Sequence, residues 1–236
     1  FDILASALGL IVFSPFIGLL LFLVWRQDGH DPIYKPDRVG RGGRLFKLMK
    51  MRSMIVGADK SGVESTSATD NRITPLGQFI RRYKLDELTQ LWNVLTGEMS
   101  LVGPRPNTLA GVAVYTSEEQ RLLLARPGIT DFSSIVFSNE GEIIEETGRP
   151  GESADDTYDR VIRPWKSRLG LMYVEHSSVL LDVALIFATI VAIISKPAAL
   201  RLVRSLLKIC GAEPALLDLT EPEKPLTIAP PPGATL

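Results

Sequence analysis

Asp86 and Glu87 stand side by side in RRYKLDELTQLWNVLTGE, and downstream Arg105 is locked between Pro104 and Pro106. The plainest reading of the acid pair is capping, because acids in a first helical turn interact favourably with its unpaired N–H groups by about 0.3–1 kcal/mol. A glycosidase pair is excluded. Adjacent helical residues diverge by about 100°, whereas that chemistry sets two carboxyl groups across one bond, about 5 Å or more apart. Adjacent carboxylates can instead supply one nucleophile or metal ligand and one metal ligand or proton acceptor, a division suited to phosphoryl chemistry. Arg105, its backbone restricted by two prolines, can present a guanidinium fork to phosphate, although the tripeptide alone also reads as a surface turn.

The elements that must position these groups are legible in part. A helix is expected from about Asp86 to Thr96, stopped by Gly97, with Leu88, Leu91, Trp92 and Leu95 as its apolar stripe. Its N-terminal field would keep Asp86 ionised and aimed outward without a cationic neighbour. A shorter helix is expected at 75–83, after a polar loop, GADKSGVESTSATDN at 57–71, of a kind that can close over substrate. Further upstream, DPIYKPDRVGRGGRLFKLMKMRSM reads as two extended runs around GRGG, where Gly40, Gly42 and Gly43 can adopt positive φ. The second run, with Leu45, Phe46, Leu48, Met49 and Met51, suits a helix nearly as well. No Walker spacing is present.

The whole chain has 236 residues, a net charge of −1 and a pI near 6.2, which argues against a nucleic-acid footprint. The charge is nevertheless segregated: Arg26 to Arg52 holds eight Lys or Arg against three Asp. The single cysteine, Cys210, permits no intrachain disulfide, and His30 and His176 form no zinc-ligand spacing. From Ile3 to Trp25 the chain runs 23 residues without a charge. As a straight helix this spans about 34 Å, enough for a bilayer core of about 30 Å. The stretch is too long for a signal-peptide core and has no small-x-small site before Arg26. Pro15 removes an N–H in its middle, and Ser14 can bond a freed carbonyl. The sequence admits either a proline-kinked crossing helix or a re-entrant hairpin whose halves, about 17 Å each, reach one leaflet. In both, Arg26 and the basic stretch after it mark the cytoplasmic side.

Together these residues resemble the monotopic phosphoglycosyl transferases, or bacterial sugar transferases. The likeness is carried by FDI with Ser14 and Pro15, DRVGRGGRLFKLMKMRSM, ITPLGQFIRRYKLDELTQLWNVLTGEMSLVGPRP, RPGIT at 126–130, and YVEHSSVLLDVALIFATI at 173–190. The resemblance implies an α+β, helix-rich monotopic membrane enzyme. Its parts would be a re-entrant membrane helix at 1–26, a cytoplasmic catalytic domain at 27–195 with a short β-hairpin and amphipathic interfacial helices, and a C-terminal extension at 196–236. It implies transfer of a sugar 1-phosphate from a UDP-sugar to polyprenyl phosphate of the undecaprenyl type, with release of UMP and dependence on Mg²⁺. Asp86 falls on the nucleophile and Glu87 on the metal or proton partner, both as metal ligands, with Arg105, Lys50 and Arg82 binding substrate phosphate. The implied location is the cytoplasmic face of a bacterial inner membrane, among membrane lipids, without nucleic acid, and a homo-oligomer is allowed.

Two features depart from the family pattern. Asp131 follows GIT where glycine is more frequent, and the tail from Glu221, with five prolines, reads as disordered or extended and lies outside the likeness. The rival reading is a scaffold that anchors to anionic lipid through its apolar and basic segments, with the acid pair as a simple cap.

Overall fold

The computed structural model describes residues 1–62, 65–67 and 69–234. Its first element, α1 (Asp2–Asp28), is one helix of 27 residues, continuous through Pro15. Proline frees the carbonyl four residues back, here that of Ile11. The Ser14 hydroxyl donates to that carbonyl at 2.9 Å, so the chain stays helical where two separate half-helices were one expectation. α1 is held to the rest of the fold at both ends. Asp2 Oδ2 accepts from Ser100 Oγ at 2.7 Å, and Asp28 receives both Nη groups of Arg52 at 2.6 and 2.7 Å. Between them Leu20 and Val24 pack on Met51 and Ile80, while Leu4, Leu8, Ile11 and Phe22 face outward. Among the described residues α1 is the one helix long and apolar enough to cross a membrane.

The basic stretch is a strand hairpin, not a helix. β1 (Ile33–Tyr34) pairs with β4 (Lys50–Met51), and β2 (Asp37–Val39) with β3 (Leu45–Lys47), both antiparallel. Gly42 and Gly43 turn it at φ 68° and 79°, whereas Gly40 stays extended at φ −102°. The polar loop at 57–71 is described except for residues 63, 64 and 68. It docks through Ser65 N–H on Asp155 and Thr69 on Glu145, both at 2.6 Å.

α2 (Pro75–Arg82) starts as expected, its N-cap Thr74 accepting from Gly77 N–H. The following helix differs from the expected one. Leu85–Gln90 winds as a 3₁₀ turn, and only Leu91–Leu95 is α-helical, as α3, which ends before Gly97 at φ 81°. The expected stripe also shifts: Leu91, Asn93 and Val94 are buried, while Trp92 is 53% exposed. β5 (Ser100–Val102) then pairs in parallel with β6 (Gly128–Thr130), which the sequence did not announce. The short α4 (Leu109–Ala113) lies between them in the chain.

After β6 come α5 (Phe132–Val136), α6 (Glu140–Thr147), α7 (Ala154–Thr157) and α8 (Arg163–His176). α9 (Val179–Ile194), α10 (Lys196–Ile209) and α11 (Pro214–Asp218) complete the helices. The largest core gathers Phe132, Ile135, Ile162, Leu169, Leu185 and Leu207. Because α10 buries Ala199, Leu200, Val203 and Leu207 in this same core, packing is continuous across the expected boundary at 195. α9 buries Leu181, Leu185 and Ala188 yet exposes Leu180, Val183, Phe187 and Ile190, an apolar face with no protein against it. Of the two readings of the tail, the extended one describes it through Ala234; residues 235–236 lie outside the described set. Trp165 Nε1 donates to the Thr227 carbonyl at 2.7 Å, Leu226 and Ala229 pack against the core, and Thr116 bonds the Pro232 carbonyl.

Candidate active site

The acid pair sits in the 3₁₀ turn that joins α2 to α3. Asn93 fixes this turn against the hairpin: its Oδ1 accepts from Met49 N–H and its Nδ2 donates to the Lys47 carbonyl, both at 2.8 Å. Thr89 adds a bond to the Met49 carbonyl at 2.9 Å. β4 thereby runs beside the turn, and Lys50 Nζ meets Asp86 Oδ2 at 3.0 Å. Asp86 is buried, 4% exposed, rather than aimed outward. Its carboxylate therefore has the cationic neighbour that the helix-field expectation had dispensed with. That expectation fails because a short 3₁₀ turn offers little aligned dipole and the hairpin supplies a lysine directly.

Glu87, one residue on, points to a different cation, with Oε1 2.9 Å from Arg105 Nη2. Burial pushes the Glu87 carboxyl up, but Arg105, with Lys84 and Lys50 behind it, outweighs burial and holds it below the usual carboxylate value. Arg105 is in turn held more firmly protonated, first by Glu87. The other nitrogen of its fork, Nη1, donates to the Ile129 carbonyl at 3.0 Å. The proline-flanked arginine is thus bonded on one side to β6 and on the other to Glu87.

Of the remaining expected residues, Arg82 is exposed at the end of α2, its guanidinium 5.7 Å from the Tyr83 ring centroid. No ion pair joins it to the acids among the described residues. Ser14 and Pro15 are exposed on α1 and bond to nothing in the site. Three contributors escaped sequence reading. Lys84 Nζ donates to the Ser134 carbonyl at 2.9 Å; burial lowers its pKa, with Glu87 the strongest opposing charge. Asp131, 1% exposed, accepts from Ser133 Oγ, Ser134 N–H and Ser134 Oγ at 2.7–2.8 Å. Lys166 pairs with Glu140 and lies 5.1 Å from the Tyr158 ring centroid. Only Asp131 carried a sequence signal, its departure from the commoner glycine.

The donor set also bears on Mg²⁺. Among the described residues no group of three or more His, Cys, Asp or Glu could hold a metal. Magnesium, however, is commonly held by one or two carboxylates together with substrate phosphates. Asp86 Oδ1 and Glu87 Oε2 make no protein contact among the described residues, since each ion pair uses the other oxygen. Two hard oxygen donors on one turn therefore fit the ion as part of a substrate complex.

A helix-rich α+β fold with a long apolar helix, a basic hairpin and an acid pair set among cations defines a membrane-associated protein equipped to handle phosphate. The chain belongs to the bacterial sugar transferase family, whose model matches residues 1–196. It is 35% identical over 215 residues to the UDP-galactose-lipid carrier transferase of Erwinia amylovora, covering 84% of this chain and 40% of that protein. It is 36% identical over 198 residues to the undecaprenyl-phosphate glucose phosphotransferase of Komagataeibacter xylinus, covering 80% and 34%. With the exopolysaccharide production protein ExoY of Sinorhizobium fredii it shares 32% over 208 residues, covering 82% and 83%. The chain thus spans well under half the length of the first two relatives.

Proposed function

We propose that this chain transfers a sugar 1-phosphate from a UDP-sugar to polyprenyl phosphate of the undecaprenyl type, releasing UMP, at the cytoplasmic face of a bacterial inner membrane. The observation that carries the reading is the division of the acid pair between two cations, Asp86 on Lys50 and Glu87 on Arg105. A carboxylate attacking a diphosphate must be screened from its target's charge, and ammonium and guanidinium donors beside both acids provide that screening.

In the first step an Asp86 carboxylate oxygen attacks the phosphorus that bears the sugar. The bond from that phosphorus to the bridging oxygen breaks, and UMP leaves with its electron pair. In the second step an oxygen of polyprenyl phosphate attacks the same phosphorus, the aspartyl bond breaks, and the Asp86 carboxylate is restored. Arg105 holds phosphate oxygens through its fork, and Glu87 keeps that fork oriented. Mg²⁺, held by the open oxygens of Asp86 and Glu87, would add charge neutralisation at the diphosphate. The attachment of both ends of α1 to one domain supports a re-entrant placement, in which the helix enters and leaves by the same face.

Exchange of label tests the order of events. Labelled UMP incubated with unlabelled UDP-sugar and Mg²⁺, without lipid, should pass label into the UDP-sugar pool, and Asp86→Asn should abolish this. Label that stays in UMP, in enzyme that turns over once lipid is added, rejects the covalent route. Absence of UMP release from every sugar of a UDP-sugar panel with lipid present favours the scaffold instead.

A further inference from the structure

Among the described residues Lys84 is the one non-glycine residue with a left-handed backbone, at φ 54° and ψ 29°. A side chain in that region costs about 1–2 kcal/mol. The turn itself does not need lysine there: a glycine would relieve the strain, and Lys84 makes no side-chain capping bond as N-cap of the 3₁₀ turn. What the conformation does is direct a long side chain inward to the Ser134 carbonyl in α5.

That ammonium is half-buried and has no carboxylate within ion-pair distance among the described residues, although Asp86 and Glu87 follow it directly in sequence. Those two acids are occupied by Lys50 and Arg105. Asp131, the other acid nearby, directs its carboxylate to Ser133 and Ser134. An ammonium has three donors, and the Ser134 carbonyl takes one. The same segment that holds Lys84 also holds Arg105, through the Ile129 carbonyl, so the two cations hang from one scaffold.

We infer that Lys84 is a further substrate-binding residue of this site, an ammonium held in a strained backbone to receive a phosphate group. The assignment of that phosphate to donor or lipid rests on the reaction proposed above. Inorganic pyrophosphate with Mg²⁺ is the direct probe, titrated calorimetrically into the full chain in detergent, beside Lys84→Gly and Lys84→Met. Lys84→Gly should melt no lower than wild type, because it releases the backbone strain. It should nevertheless bind pyrophosphate about tenfold or more weakly, the loss of a charge-assisted bond. Lys84→Met should weaken binding alike.

Activity then separates the two phosphates. Loss of lipid-free UMP exchange places Lys84 on the donor, and retained exchange with a raised KM for polyprenyl phosphate places it on the lipid. Variants that bind pyrophosphate and turn over like wild type overturn the inference while the proposed reaction stands. Wild type that fails to bind pyrophosphate overturns it as well. Wild type that binds pyrophosphate, and loses that binding in both variants, yet turns over no UDP-sugar, supports Lys84 as a phosphate ligand and defeats the reaction alone.

Discussion

Asp86 and Glu87 are neighbours that serve different cations, and this predicts different failures. Asp86→Asn keeps the volume and the contact with Lys50 but removes the anionic nucleophile. Turnover should fall about 10³-fold or more with little change in melting temperature; activity near wild type would end its assignment as nucleophile. Arg105→Lys should also be damaging, because an ammonium cannot bond the Ile129 carbonyl, Glu87 and a phosphate in one plane. Glu87→Gln is expected to cost stability as well, about 1–2 kcal/mol at neutral pH, since it leaves Arg105 without its countercharge. The sign follows from the depressed Glu87 pKa. Its contribution is complete above the ordinary value of 4.5 and lost as pH falls through the lower folded value. Melting curves of wild type and Glu87→Gln should therefore differ at pH 7 and converge well below pH 4.5; a gap independent of pH would rule out the ion pair as its source. The acid pair and Arg105 were legible because adjacent acids and a Pro-Arg-Pro tripeptide are unusual as types. Lys84 was not, because nothing in RRYKLDE announces a left-handed backbone at a lysine.

At the scale of elements, the segment from β6 into α5 does more than its length suggests. Ile129 and Ser134 lend carbonyls to Arg105 and Lys84, and the Asp131 carboxylate fixes the turn between them. Asp131→Ala should lose about 1 kcal/mol, as other lost N-caps do. It should also raise the KM for UDP-sugar more than the melting shift accounts for at assay temperature. Asp131→Asn, which keeps an acceptor for Ser134 N–H, should restore most of both; equal activity of the alanine variant would make Asp131 a cap and nothing more. Gly128 is under a different constraint, because a Cβ there would lie 2.0 Å from Gly103 N. Gly128→Ala should force β5 and β6 apart and destabilise by about 3 kcal/mol, measured by thermal unfolding. Glycines and caps made several elements readable in advance: Gly42 and Gly43 in the hairpin, Thr74 before α2, Gly97 after α3. The 3₁₀ turn was hidden because periods of 3.0 and 3.6 hardly diverge over six residues, so Trp92 fell on the expected buried stripe when it is exposed. The parallel pairing of β5 with β6 was hidden because it joins segments distant in sequence.

For the whole molecule, the question is how a long apolar helix and a phosphate site share one body. A straight α1 would measure about 40 Å, more than the roughly 30 Å bilayer core, so a crossing helix puts its ends on opposite faces. Yet Asp2 is bonded to β5 and Asp28 to Arg52, beside β4, on the same domain. The outward apolar faces of α1 and α9 belong in lipid, and burying them from one side keeps both tethers intact. A tag placed immediately before Phe1 should accordingly remain inaccessible to a membrane-impermeant label applied to intact cells. Labelling of that tag would establish a crossing helix and overturn the one-face arrangement. Ser14 and Pro15 give the matching perturbation. With both replaced by leucine, residue 15 regains an N–H that can bond the Ile11 carbonyl, so the hydroxyl of Ser14 is no longer needed there and the helix loses its weak point. The doubly substituted helix should straighten and cross in a fraction of molecules, which exposes the tag outside and breaks the Asp2 tether to Ser100. Turnover per folded molecule should fall by that same fraction, because only chains with both tethers keep β4 and β5 in register with the site. If the leucine pair leaves the tag protected and turnover unchanged, the proline and serine have no part in setting topology, and the tethers alone hold the helix to one face.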